Sequence, residues 1–168
     1  MNIYTTVDSP VGELLLVGEE STTARGGVAL GSVSFAGTAA AVDPGWRRDA
    51  AAFGEVERQL RDYFAGDRTV FELDQVPRGT AFQQRVWAAV EAIPYGATAS
   101  YGSVAEQIGA PRDRIRAVGA AVGANPLLIV RPCHRVVGAD GSLTGYAGGV
   151  PRKRELLTHE GALQPQLI

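Results

Sequence analysis

The chain has 168 residues with 16 basic and 18 acidic side chains, a net charge of −2 and a mean hydropathy of −0.00. That is enough for one or two small domains with a real core, and no apolar run approaches the roughly 20 residues of a membrane span. A single cysteine excludes an internal disulfide and a multi-cysteine metal site.

The N-terminus, Met1-Asn2-Ile3-Tyr4, has no basic region and no apolar stretch behind it, so no secretory signal is expected. Ile3 to Val7, Glu13 to Gly18 and Val28 to Phe35 read as short strands, the first two joined by a turn at Asp8-Ser9-Pro10-Val11-Gly12. Phe53, Val56, Leu60, Tyr63 and Phe64 recur at helical spacing, and Gly66 marks the stop. Thr69 to Leu73 reads as a further strand. These elements predict a small αβ subdomain over residues 1–77, built on a three-stranded antiparallel sheet. Trp46 is read as packing.

Pro77-Arg78-Gly79 is the expected boundary to a second domain over residues 78–168. Thr80 and Gln83 form a capping box opening a helix through Phe82, Val86, Trp87, Val90 and Ile93, with Trp87 on its core face. Ser100 caps a short helix carrying Val104, Ala105 and Ile108, ended by Gly109. After Ala110-Pro111 a second helix is predicted from about Arg112 to Ala124. Two short helices about a tight glycine-containing turn form a helix-turn-helix signature, and Arg112, Arg114 and Arg116 favour DNA as its ligand. Leu127 to Val130 is an apolar run that delivers the cysteine. Val136 to Gly149 is glycine-rich loop, and Pro151 and Gly161 frame a last helix.

Charge is divided unevenly. Residues 1–77 carry 6 basic and 12 acidic groups, residues 78–168 carry 10 and 6. Between Arg112 and Arg154 eight basic side chains face only Asp113 and Asp140. Taken alone this asymmetry reads as a solvated basic surface; beside the cysteine motif at Pro132 to Val136 it reads as a polyanion-binding half joined to an acidic partner half, with a small phosphate contact rather than tight non-specific binding.

Pro132-Cys133-His134-Arg135-Val136 places the only cysteine beside one of two histidines. A thiol attacks as its thiolate, and a neighbouring base or cation raises that fraction. A lone cysteine is more commonly a buried structural residue. Here the flanking His-Arg, prolines and glycines favour a nucleophile. Gly145-Tyr146-Ala147-Gly148-Gly149 can bring backbone and an aromatic ring against a flat ligand.

From about Gly79 to Gly161 the chain resembles the O6-alkylguanine-DNA alkyltransferases, or methylated-DNA–protein-cysteine methyltransferases. The matching residues are Phe82-Gln83-Gln84-Arg85-Val86-Trp87, Ile93-Pro94-Tyr95-Gly96, Ser100-Tyr101, Arg116-Ala117-Val118-Gly119, Asn125-Pro126, Pro132 to Val136, Gly145-Tyr146 and His159-Glu160. The first 75 or so residues match more loosely. The resemblance implies an α/β (α+β) fold whose C-terminal domain is mainly helical and carries a winged helix-turn-helix. It implies DNA repair by direct, stoichiometric, irreversible transfer of the alkyl group from O6-alkylguanine to Cys133, after the base is flipped into a pocket.

By the same resemblance His134 acts on Cys133 through one water, Glu160 orients His134, Asn125 braces the turn and Tyr101 donates a proton to the purine. Arg116 enters the base stack, with Tyr101, Arg112, Arg114 and Ala117 also against DNA. Val136, Tyr146, Ala147 and Gly148 belong to the substrate pocket. The expected partner is double-stranded DNA bound through its minor groove. A cytoplasmic monomer is expected, with no membrane, cofactor or metal, the zinc-binding cysteines of some relatives being absent. Two features depart from the pattern: the turn from Gly109 to Arg116 is one residue longer, and Arg131 stands where an aliphatic residue is usual. A buried arginine there needs a carboxylate, solvent or DNA. A lesion-binding protein without transfer, a helix-turn-helix regulator and a thiol peptidase remain as alternatives.

Overall fold

The structure, a computed structural model, describes residues 2–38 and 42–163. The chain divides into two compact units, Met1–Pro77 and Arg78–Ile168. No described helix is long and apolar enough to cross a membrane.

The first unit holds a four-stranded sheet in the order β3-β2-β1-β4. β1 (Asn2–Val7) and β2 (Leu14–Glu20) form an antiparallel hairpin, and β3 (Val28–Phe35) pairs antiparallel with β2. Leu14 to Val17 are all buried, which explains why this central strand lacks alternation. The β2–β3 register slips at Val17/Gly18, where an added Cβ on Gly18 would lie 2.7 Å from the Ala29 carbonyl oxygen. Only glycine fits that bulge.

The sheet corrects the expectation of three strands. β4 (Arg47–Arg48) pairs parallel with β1, two exposed arginines with no apolar pattern to announce them. Thr69 to Leu73 is not a strand. The main chain of Glu72 bonds the buried Gln59 amide instead, its N–H donating to Oε1 at 2.9 Å and its carbonyl accepting from Nε2 at 3.1 Å. Gln59 projects from α1 (Gly54–Phe64), which turns Val56, Leu60 and Tyr63 into the core.

In the second unit, α2 (Ala81–Glu91) begins with the capping box, both Thr80–Gln83 bonds being present. Trp87 is buried and its indole N–H donates to the Ala121 carbonyl at 2.8 Å, joining α2 to α4 (Ile115–Gly123). Gly79 sits at φ 91° with space for no Cβ, which would meet the Trp87 ring at 2.6 Å. β5 (Ala99–Ser100) leads into α3 (Tyr101–Gln107), capped by the Ser100 hydroxyl. The second helix of the motif is split: Arg112–Arg114 form one 3-10 turn after Pro111, and α4 starts at Ile115. β6 (Val136–Val137) pairs parallel with β5, and α5 (Val150–His159) closes the unit.

Candidate active site

The approach to the cysteine is made of tight turns rather than a strand. Asn125 Oδ1 accepts from the Leu127 N–H at 3.0 Å, and Nδ2 donates to the Arg131 carbonyl at 3.0 Å. The Val130 N–H reaches back to the Leu128 carbonyl at 2.8 Å, holding Ile129 at φ 71°. A β-branched residue in that region costs about 1–3 kcal/mol. The Cys133 N–H then bonds the Arg131 carbonyl at 2.7 Å, and Cys133–Arg135 form a single buried 3-10 turn.

This delivers Cys133 to the wall of a pocket of about 360 Å³. Tyr101 of α3, Gly119, Val122 and Gly123 of α4, and Thr144 to Ala147 complete the lining. At the two glycines the backbone of α4 itself borders the space, beside Val122. Burial pushes the Cys133 thiol up, while the Asn125 amide, the Lys153 ammonium, its own backbone N–H and Arg131 pull it down. Upward wins. The resting group is a thiol, and its proton has to be removed.

The two residues after Cys133 belong to a buried hydrogen-bonded chain. His134 is fully buried, with Nε2 2.8 Å from Glu160 Oε2. Burial is the main reason its pKa lies below 6.5, outweighing the upward pull of Glu160. A neutral ring facing a carboxylate through Nε2 is the Nε2–H tautomer, which leaves a lone pair on Nδ1. Nδ1 has no protein hydrogen-bond partner. The same carboxylate receives the Arg135 fork, Nε to Oε1 at 2.7 Å and the terminal nitrogen to Oε2 at 3.0 Å. Arg135 is anchored in turn by the Ile93 carbonyl at 2.7 Å.

Glu160 is placed by the end of α5. The Gly161 N–H bonds the Thr158 carbonyl and the Ala162 N–H bonds the Leu157 carbonyl, with Gly161 at φ 79°. That glycine-dependent stop fixes Glu160 as the cap residue. A carboxylate at a helix C-terminus is disfavoured by the helix dipole, and the Arg135 guanidinium offsets this.

Lys153, on α5, is fully buried. Its ammonium donates to the carbonyls of Val136 at 2.6 Å, Thr144 at 2.8 Å and Gly145 at 3.4 Å. Three N–H groups meet three acceptors, tying the loop after the cysteine to the pocket wall. Burial lowers its pKa while Cys133 pulls it upward. Tyr146, whose phenol burial raises well above 10, meets the His134 ring edge-on at 6.5 Å.

Comparison with known proteins gives this arrangement a context. Residues 81–162 match the model of the 6-O-methylguanine DNA methyltransferase DNA binding domain, and residues 2–75 match that family's ribonuclease-like domain. The methylated-DNA–protein-cysteine methyltransferase of Mycobacterium tuberculosis is 48% identical over 162 residues, covering 96% of this chain and 94% of that protein. The chain belongs to the 6-O-methylguanine DNA methyltransferase family. The constitutive enzyme of Bacillus subtilis is 42% identical over 148 residues, covering 88% of each chain. A crystal structure of Mycobacterium tuberculosis OGT in complex with DNA superposes with a TM-score of 0.85 at 48% identity, covering 95% of this chain and 93% of that one.

Within the methyltransferase family match, 81–162, fall all the groups around the pocket. Of the residues singled out in the sequence, Cys133, Tyr101, Tyr146 and Ala147 line the pocket, His134 and Glu160 form a buried hydrogen-bonded pair, and the Asn125 amide acts on the sulfur. Val136 and Gly148 are buried and do not line it, although the Val136 carbonyl holds Lys153. Arg112, Arg114 and Arg116 are exposed, with Ala117 half-buried beside them. Arg114 lies over the Phe82 ring, 5.3 Å from its centroid. Arg116 precedes Gly119 by three residues and Gly123 by seven, which puts it on the pocket-lining face of α4. Arg131 finds the carboxylate it needs in Glu91, at 2.9 Å.

The sequence reading missed Lys153 and the second role of Arg135. A signal was present. Lys153, Leu156, Leu157 and Glu160 follow the i, i+3, i+4, i+7 spacing of a buried helix face. A lysine and a glutamate inside such a stripe point to buried charge with partners.

Proposed function

We propose that Cys133 accepts the alkyl group, with His134 as its base and Glu160 and Arg135 holding that base. The chain is a DNA-repair methyltransferase that moves the alkyl group of O6-alkylguanine in DNA directly onto a protein cysteine. The observation that carries the assignment is that the chain's single cysteine stands in the pocket wall and is followed directly by the buried, hydrogen-bonded His134–Glu160–Arg135 group.

The thiol proton passes through one water to His134 Nδ1, and the imidazolium formed is stabilised by Glu160. The sulfur attacks the alkyl carbon in line. A carbon–sulfur bond forms, the carbon–O6 bond breaks, and its electron pair goes to the guanine ring. Tyr101, which also lines the pocket, supplies a proton to that ring, so one proton leaves the thiol and one arrives on the base. The product is a thioether, which no ordinary reductant or hydrolysis reverses. Each molecule acts once.

DNA is the partner of this family's second domain. A guanine inside a duplex is out of reach of a walled sulfur, so the lesion base is extruded. Arg116, at the pocket-lining face of α4, fills the gap from the minor groove, and Arg112 and Arg114 meet phosphates. Residues 1–77 act as a separate leading domain, the protein works as a monomer, and the free thiol suits a reducing cytoplasm. Cys133→Ser tests the core of this reading. It abolishes transfer and leaves DNA affinity near the parent value, because a serine hydroxyl is a poor nucleophile at neutral pH. Transfer persisting in that variant means another group is the acceptor.

A further inference from the structure

Arg131 has a side chain only 10% exposed. Its guanidinium lies 4.5 Å from the centroid of the Trp87 ring, and its Nε donates to Glu91 Oε1 at 2.9 Å, both residues belonging to α2. Its terminal nitrogen approaches Asn125 Oδ1 at 3.4 Å. Its carbonyl accepts from Asn125 Nδ2 at 3.0 Å and from the Cys133 N–H at 2.7 Å. One residue therefore touches the helix behind the site, the bracing amide and the nucleophile's own backbone.

The consequence concerns which way the Asn125 amide faces. Its oxygen meets two donors, the Leu127 N–H and the guanidinium. A flipped amide would set N–H against N–H at both contacts. Held this way, Nδ2 faces the Arg131 carbonyl and the sulfur, and the amide is among the groups that lower the Cys133 pKa. The strained turn at Ile129 needs an external hold of this kind, since the local sequence does not favour it. We propose that Arg131 is a positioning residue for the transfer, clamping the Asn125 amide and the turn before Cys133 against α2 so that the sulfur faces the pocket. The inference rests on Cys133 being the acceptor.

The planar fork matters because a lysine ammonium cannot bond Glu91 and Asn125 together while lying flat on an indole. The test uses Arg131→Met and Arg131→Lys, with the free base O6-benzylguanine and a duplex carrying O6-methylguanine as probes. Both variants react more slowly with both probes, by roughly tenfold to a hundredfold. The pH at which Cys133 is half-ionised, read by its alkylation with iodoacetamide across pH, moves upward in both variants. Lys153 and Tyr146, the other titratable groups that act on the sulfur, are unchanged in these variants, and Arg131→Lys also keeps the positive charge that Arg131 itself sets near it. A merely structural arginine would lower the melting temperature without moving that midpoint.

Arg131→Lys folds by virtue of its retained charge and stem, so a collapsed methionine variant does not end the test. Parent-like rate and midpoint in Arg131→Lys overturn the clamp. Slowing confined to the duplex also overturns it, assigning Arg131 to DNA. Failure of the underlying reading is separate, because the parent protein would then carry no adduct on Cys133.

Discussion

Glu160 serves two partners with two oxygens, the neutral His134 ring and the Arg135 guanidinium, and this makes it the residue whose loss should be felt twice. Oε2 takes His134 and one arm of Arg135, Oε1 takes the other arm. Glu160→Gln keeps the shape, removes the charge and leaves a buried guanidinium unpaired. We expect transfer to slow by about tenfold to a hundredfold, as for other groups that orient a reacting one. Stability should drop by about 3–5 kcal/mol. Rates on O6-benzylguanine and denaturant midpoints measure the two effects, and a parent-like rate would leave Glu160 a purely structural group. The pH profile belongs to the same scale. Burial holds the His134 pKa below 6.5, so the base stays neutral and the rate stays level through neutral pH, failing only below that value. The stability consequence has the same sign. An unfolded chain takes up this proton at about 6.5, whereas the folded one resists it, so acid favours unfolding and stability falls as the pH drops below 6.5. Melting curves from pH 7 to 5 should show this decline, and it should be shallower in His134→Gln.

Helix α4 does two things with one face. Gly119 and Gly123 open the pocket, and Arg116, one turn earlier, stands exposed at the end that carries the Arg112–Arg114 turn. If Arg116 fills the place of an extruded base, Arg116→Ala should slow repair of duplex lesions by about ten- to a hundredfold, equivalent to about 1.4–2.7 kcal/mol. Reaction with the free base should hardly change. Arg116→Lys keeps a phosphate contact and loses the planar stack, so clear slowing marks a wedge and near-normal repair marks a phosphate contact. Elements with local chemistry were legible: the Thr80–Gln83 box, the Ser100 cap and the Gly161 stop all lie where side-chain and glycine rules place them. Those depending on a distant partner were not. β4 exists only because β1 offers an edge, Glu72 is held by a glutamine 13 residues away, and the Leu127–Val130 run folds into turns because Asn125 and Arg131 bond across it.

At the scale of the molecule, the two halves differ in how much of their role is written in side chains. Residues 78–168 carry a net positive charge and every group around the pocket, and the motif from Pro132 to Val136 led directly to the candidate site. Residues 1–77 are net acidic and mark their fold mainly by apolar spacing, a pattern many sheets share, so their family membership emerged from comparison over 2–75. The stripe of α5 marks Lys153 as buried, but not what it holds. Its partners are main-chain carbonyls, which no sequence pattern displays. In the proposed reaction this single cysteine is consumed by the alkyl group it removes. Titrating a fixed amount of protein with excess duplex carrying labelled O6-methylguanine, then mapping the label by peptide mass, measures this. We expect a plateau at one methyl group per protein, all of it on the peptide containing Cys133. Continued turnover beyond that plateau, or label on any other residue, would contradict it.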